Sequence, residues 1–343
     1  MTHGEVHTVY FLGIGGIGMS ALARYCHSMG YTVAGYDRTP SPLTRQLENE
    51  GMAIHYEDNP NLLPALIDFV VYTPAVPKDL KEFEALKQSN IKIMKRSEAL
   101  GQVSEQHFTL AIAGTHGKTT TTAMTAHILN ACGKNTTAFI GGIANNFGSN
   151  LLLGKGKDSL MVVEADEFDR SFLRLKPAIS IINSIDADHL DVYGDRQHLV
   201  KSFNEFAQLT EKQLIVKEGL EIEGKSLRFG FGEDNDYRAE IVKTENAITD
   251  FVICGEGTKA EIQLPMAGRH NVLNATAAFA AARQVGIAAK DIASALATFK
   301  GVKRRFDIRV NNGKHCYIDD THIIQKKFEP ACKPSGAHSL KRS

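Results

Sequence analysis

The stretch that decides the fold is AIAGTHGKTTTTAM, residues 111–124. It follows the apolar run FTLAIAG and leads into TTTAMTAHILNACG, which has helical spacing and a stop at Gly133. Strand, glycine turn and helix in that order make a cradle for phosphate, because the first N–H groups of a helix have no partner within the helix. The match to a P-loop is incomplete. Ile112 stands where the first glycine of G-x-x-x-x-G-K-[ST] belongs, and Gly114 comes two residues later. The rest is in place. Backbone N–H groups along Gly114, Thr115, His116, Gly117 and Thr120 can cradle phosphates, Lys118 can neutralise β/γ charge, and the Thr119 hydroxyl can hold Mg²⁺. A threonine-capped helix with a chance Gly-Lys pair is the bland alternative.

Upstream lies a second unit of the same kind. HTVYFLG reads as a strand, GIGGIG as a turn, MSALARYCHSMG as a helix and YTVAGYD as the next strand. Gly13, Gly15, Gly16 and Gly18 let the backbone turn tightly and approach a diphosphate, and Asp37 ends the second strand where a ribose-binding carboxylate belongs. The motif does not separate NAD from a UDP-sugar, and a tight helix–sheet contact would use the same glycines. DFVVYTPAVP reads as a buried strand, and SNIKIMKRSEALGQV closes the unit.

Downstream, VVEADEFD ends an apolar strand. Glu164 sits where open α/β sheets place their ligands, and a carboxylate there can bind Mg²⁺ opposite the Thr119 hydroxyl. Asp166, Glu167 and Asp169 read as a solvated charged loop. NSIDADHLD ends the following strand and brings Asp188 and His189 to the same edge, with His189 a further metal ligand. Residues 212–264 are more irregular. GRHNVLNATAAFAAARQVG is an Ala-rich helix with Gly286 as its stop, and His270, Asn271 and Asn274 at its start read as caps or as base contacts. In GVKRRFD an arginine can steady a developing phosphate charge; Arg305 is the candidate. Alternating strands and helices give an α/β fold with parallel sheets.

Composition limits the partners. Lys+Arg and Asp+Glu both number 39 in 343 residues, so there is no basic footprint for nucleic acid or an anionic membrane. Five scattered cysteines, with no CxxC, fit a reducing cytoplasm rather than a disulfide framework. The opening residues show no signal peptide, and no run is long enough to span a bilayer.

Taken together, FLGIGGIGMSALA, GTHGKTT, VVEADEFDRSFL, NSIDADHLDVYGD, GRHNVLNA and GVKRRF resemble the Mur ligases of bacterial peptidoglycan synthesis in order and spacing. The resemblance runs from Tyr10 to about Asp320. The histidine of GTHGK and the opening GIGGIGMS look most like the branch that joins L-alanine to UDP-N-acetylmuramate. The resemblance implies an N-terminal Rossmann-like UDP-binding domain (residues 1–105), a central ATP-binding α/β domain (106–310) and a C-terminal Rossmann-like domain beginning at 311–320. It implies ATP with two Mg²⁺ ions, an acyl-phosphate intermediate, and attack on it by the amino group of L-alanine. It carries Lys118 to phosphate, Thr119, Glu164 and His189 to magnesium, His270 and Asn271 to the nucleotide, and Gly15, Gly16, Gly18 and Asp37 to the UDP moiety. The alternatives are a murein tripeptide recycling ligase of the same family, an NAD-dependent oxidoreductase and a non-catalytic binding protein.

The text departs from the family after YIDD (317–320). Restoring one nucleotide at the Asp320 codon turns Thr-His-Ile-Ile-Gln-Lys, residues 321–326, into Tyr-Ala-His-His-Pro-Lys, which looks like family text. The expectation is that 321–343 is an out-of-frame, disordered tail, that the third domain is largely missing, and that ligation by this chain is impaired. It also leaves Cys316–Asp319 as a strand with an unpaired edge.

Overall fold

The computed structural model describes residues 7–156, 158–186 and 195–305, together with the backbone of 307–311 and 316–319. Asp188, His189 and residues 320–343 lie outside the described residues, so the metal reading of His189 and the out-of-frame reading of the tail do too.

The first unit is a five-stranded sheet. Its strands are β1 (Thr8–Leu12), β2 (Thr32–Tyr36), β3 (Ala53–His55), β4 (Phe69–Tyr72) and β5 (Lys92–Lys95), in the order β3-β2-β1-β4-β5. Every neighbouring pair is parallel. Four helices serve it: α1 (Ile17–Ser28), α2 (Pro42–Asn49), α3 (Lys81–Lys87) and α4 (Arg96–Ser104). The order reverses between β1 and β4, so a crevice opens where β1 ends in the glycine loop. Local chemistry starts the helices. Ser41 and Thr44 form a reciprocal cap on α2 with Pro42 at its first position, and Glu98 reaches back to the Lys95 N–H at α4.

On the outer face of this sheet is a buried polar trio. Tyr10 donates to Glu82, His55 Nε2 lies 2.8 Å from the Tyr10 hydroxyl, and the Asn59 N–H donates to Glu82 at 3.1 Å. Burial lifts the Glu82 carboxyl above its ordinary range, against the pull of the Tyr10 and Asn59 donors and His55. The folded carboxyl therefore holds its proton more tightly than the unfolded one. Its stabilising contribution is full below the ordinary carboxylate range and is lost as pH rises through the raised value. Glu82→Gln removes that slope. The expected result is a Tm difference, wild type minus variant, that falls as pH rises above the ordinary carboxylate range; a flat difference contradicts it.

The second unit is built on ten strands: β6 (Phe108–Ala113), β7 (Thr136–Ala144), β8 (Ser149–Leu152), β9 (Leu160–Ala165), β10 (Ile179–Ile182), β11 (Gln213–Lys217), β12 (Leu227–Gly230), β13 (Tyr237–Glu245), β14 (Ile248–Gly255) and β15 (Thr258–Leu264). Their order is β15-β14-β13-β12-β11-β10-β6-β9-β7-β8. The middle is parallel, as the alternation of elements requires. The ends differ from that reading: β8 runs antiparallel to β7, and β13, β14 and β15 form an antiparallel arm where the sequence looked irregular. The helices are α5 (Lys118–Ala131), α6 (Arg196–Gln208), α7 (Arg269–Gln284) and α8 (Ala289–Leu296). Helix α7 is buried along Asn274–Ala282, and its alanines let it lie close to α5 and the sheet.

Strands β16 (Asp307–Asn311) and β17 (Cys316–Asp319) pair antiparallel as a two-stranded sheet, so one edge of Cys316–Asp319 is covered and its other edge is the unpaired one among the described residues. One hydrophobic cluster runs through both large sheets, from Val9, Phe11, Met19 and Leu22 to Ala113, Phe139, Met161 and Val163. It packs α1 against the second unit as well as its own.

Candidate nucleotide and magnesium site

Strand β6 lies between β10 and β9 near the centre of the second sheet, and its C-terminal end carries the phosphate loop. Two glycines hold the loop open. Gly114 has φ +137° and Gly117 has φ +82°, both in the range that favours glycine. A Cβ at Gly117 would lie 2.5 Å from Asn274 Oδ1, and one at Gly114 would lie 2.9 Å from the Ser184 nitrogen. The loop is stitched to the end of β10. Thr115 N–H donates to the Ser184 carbonyl at 3.1 Å, and His116 N–H to Ser184 Oγ at 2.7 Å. Asp186 N–H donates to Thr115 Oγ1 at 3.0 Å, and His116 Nε2 lies 3.4 Å from Asp186. The missing first glycine is explained: Ile112 is a wholly buried residue of β6, so the turn begins after it.

Lys118 opens α5. Its ammonium donates to the Gly114 carbonyl at 2.7 Å and to both oxygens of Glu167, at 2.9 and 2.7 Å. Thr119, buried, donates to the Glu164 carboxylate and lies 3.0 Å from each of its oxygens. The Gly141 N–H also donates to Glu164, at 2.9 Å. Burial raises the Glu164 carboxyl, and the nearby Lys118 ammonium opposes the rise. A hydroxyl beside a carboxylate at a sheet's C-terminal edge is the hard-oxygen donor set that magnesium takes. Asn183 packs its Cβ against Gly114 and its Nδ2 against Gly117, and its Oδ1 is buried without a donor among the described residues, an orphan that a bound group can satisfy. The residues present therefore fit a magnesium nucleotide.

Glu167 departs from the sequence reading of a solvated acidic loop, while Asp166 and Asp169 keep to it. Glu167 is 1% exposed rather than solvated, and burial raises its carboxyl while Lys118 pulls it down. Asp166 lies 3.7 Å from the Arg96 guanidinium, and Asp169 pairs with Lys95 at 2.9 Å. The loop is thus a charged seam between the two units.

The other candidates are placed as follows. Asn271 is buried and donates to the Ala267 carbonyl at 2.7 Å, an internal cap, whereas Asn274 reaches the phosphate loop. His270 folds back over Gly268. Arg305 is partly buried in a turn whose Val302 packs on Gly142, beside Thr119. Thr120 is buried one residue into α5 from Thr119. In the first unit, Gly13 has φ +82° and donates to the Tyr36 carbonyl, while Gly16 caps α1. The Gly15 N–H donates to Asp37 Oδ2 at 2.7 Å, so this carboxylate lies on the glycine loop itself. A Cβ at Gly18 would meet Arg96 Nη1 at 2.8 Å, which sets a guanidinium beside the loop that the sequence had not singled out.

Gly141 supplies a sharp test of the magnesium pair. A Cβ there would fall 2.1 Å from Glu164 Oε2, so Gly141→Ala must expel the carboxylate from Thr119. The expected result is a Kd for Mg·AMP-PNP weakened at least tenfold, about 1.4 kcal/mol, with UDP-sugar binding unchanged. Calorimetric titration with each ligand checks it.

Residues 112–282 match the Mur ligase middle domain, and residues 8–108 match the Mur ligase family, catalytic domain. The UDP-N-acetylmuramate–L-alanine ligase of Christiangramia forsetii is 47% identical over 321 residues, covering 91% of this chain and 70% of that protein. Among solved structures, the UDP-N-acetylmuramate–alanine ligase of Thermotoga maritima superposes with a TM-score of 0.82 at 30% identity, covering 91% of this chain and 74% of that one. A murein peptide ligase from Psychrobacter arcticus superposes at 0.79 with 27% identity, covering 92% and 72%. The match takes in both glycine loops and the acidic strand end that follows the second, which an oxidoreductase reading of the first loop leaves unexplained. The chain belongs to the Mur ligase family.

Proposed function

We propose that this chain is an ATP-dependent ligase that joins L-alanine to UDP-N-acetylmuramate, with residues 1–105 holding the nucleotide sugar and 106–310 the ATP. The observation that carries the reading is the Thr119–Glu164 pair beside Lys118 on a glycine-built loop. The names of the relatives supply the substrates. In the reaction, the muramate carboxylate attacks the γ-phosphorus of ATP, ADP leaves, and an acyl phosphate forms. The L-alanine amine then attacks the acyl carbon, loses a proton and expels phosphate.

Lys118 neutralises charge on the β- and γ-phosphates, and the loop N–H groups between Gly114 and Thr120 fix their position. Magnesium held by Thr119 and Glu164, and by His189 as the family resemblance implies, would offset the phosphate charge. Asn274 and His270 serve the nucleotide side at the start of α7, where Asn271 caps the helix from within, and Arg305 steadies the transferring phosphate. Gly13, Gly15, Gly16 and Gly18 admit the UDP diphosphate to the N-terminus of α1, with Asp37 beside it. Location in the cytoplasm follows from the cofactor and from the cysteine usage.

The test is phosphate release from ATP and Mg²⁺ by the 343-residue chain, given UDP-N-acetylmuramate and L-alanine, with the product identified by mass. Binding is followed in parallel by thermal shift with UDP-N-acetylmuramate and with NADH. ATP turnover that ignores UDP-N-acetylmuramate overturns the reading. Turnover with murein tripeptide in place of L-alanine moves it to the recycling branch.

A further inference from the structure

Asn150, on β8, is wholly buried, and its three described side-chain hydrogen bonds go to one helix of the other unit. Its Nδ2 donates to the Ile17 carbonyl at 2.6 Å and to Ser20 Oγ at 3.0 Å. Its Oδ1 accepts from Arg24 Nη1 at 2.7 Å. Ile17, Ser20 and Arg24 all belong to α1, the helix that the first glycine loop opens into.

The net continues on both sides. Arg24 clamps Glu50, the C-terminal cap of α2, at 2.7 and 2.8 Å. Near the other end of α2, the Thr44 methyl would lie 2.7 Å from a Cβ at Gly15. Both walls of the first loop are therefore tied to Asn150. In the second unit, β8 pairs with β7 at Ala144–Ser149 and Phe139–Leu151. Between those pairs β7 carries Gly141, whose N–H holds Glu164, and Gly142, where a Cβ would lie 3.3 Å from the Thr119 methyl. The Tyr25 ring of α1 packs on Phe139 of β7 with ring centres 5.5 Å apart.

We propose that Asn150 is a positioning residue that fixes the register between the two glycine loops, and so sets the distance from the muramate carboxylate to the γ-phosphate of ATP. The inference rests on the ligase reading. The chemistry favours alignment over adhesion. A primary amide is expensive to bury unless its donors and acceptor are all met, and it meets them here in one orientation of α1 only. A leucine of the same branched shape would hold the two units together but would leave α1 free to slide or turn. A misplacement of about 1 Å between reacting groups costs about 10²-fold in rate.

Asn150→Leu and Asn150→Ala are compared with wild type by three measurements: Kd for UDP-N-acetylmuramate, Kd for Mg·AMP-PNP, and kcat for ATP consumption with UDP-N-acetylmuramate and L-alanine. In N150L both Kd values are expected to stay within about threefold while kcat falls about 10²-fold. A purely structural role would lower Tm and weaken binding without that split. Hydrogen exchange reads the same contact without turnover: the amides of the first two turns of α1 lose protection in N150L, while those of β6 and α5 keep theirs. Arg24→Met, which removes the guanidinium linking Asn150 to Glu50, carries the test if the Asn150 variants do not fold. Unchanged kcat in N150L, or unchanged protection of α1, overturns the proposal. A wild-type chain that consumes no ATP, the impaired ligation expected from the sequence, takes kcat out of the comparison, and hydrogen exchange then decides the contact alone.

Discussion

Lys118→Ala is expected to lower ATP turnover by about 10³-fold or more, the size of loss seen when a preorganised charge is removed from a phosphoryl-transfer site. It should also lower Tm, for a reason that has nothing to do with phosphate. Lys118 holds both oxygens of Glu167, which is 1% exposed. Removing one partner of a buried pair leaves the other charge uncompensated, a cost of about 3–5 kcal/mol if it stays ionised. The Glu167 carboxyl, already raised by burial, loses the ammonium that pulls it down and takes up a proton instead. The double variant Lys118→Ala with Glu167→Gln separates the two effects. Tm is expected to recover and turnover is not. Turnover restored along with Tm would show that Lys118 serves the fold alone.

Glu164→Gln is expected to be the second large loss, about 10³-fold in turnover, because several kcal/mol of metal assistance goes with one ligand. Its stability should move the other way. Burial raises the Glu164 carboxyl, so ionising it opposes folding, and that opposition grows as pH rises through the raised value. A glutamine does not ionise. Without magnesium the variant should therefore match wild type in acid and exceed it in Tm at neutral and alkaline pH. With Mg·AMP-PNP the order should reverse, since only wild type gains from the metal. Equal stabilisation of both chains by Mg·AMP-PNP would remove Glu164 from the metal site.

Much of this was legible because it is local. Each glycine loop lies between a strand and a helix that are contiguous with it, and the helix stops at Gly133 and Gly286 take the positive φ their residue type allows, +74° and +78°. What stayed hidden depends on distant partners. Glu167 reads as one more acid in a charged run, and only Lys118, 49 residues away, makes it a buried one. Asn150 is an ordinary polar residue until α1 docks on it. The antiparallel arm was missed for a local reason. The β13–β14 connection turns at Asn246 and Ala247, with φ +50° and +64°, without the glycine that usually marks such a hairpin. The departure from a full P-loop was visible as Ile112, but the loop's geometry was not: the strand runs one residue past it, and the turn relies on Ser184 and Asn183 from β10's end.

In the proposed chemistry, the Lys118–Glu167 pair makes nucleotide binding an exchange reaction. The ammonium already holds a two-pronged carboxylate, so an incoming anion has to displace it or share with it. Chloride and simple carboxylates, with one charge and no loop N–H groups shaped for them, are poor competitors for that place. A polyphosphate competes on charge and on geometry together. Even a polyphosphate meets two carboxylates, Glu164 and Glu167, at the same end of the loop, and their repulsion falls away only when a divalent cation arrives with it. If the ligase reading holds, the protein's own acid is a resident decoy that favours the metal-loaded nucleotide over the bare one.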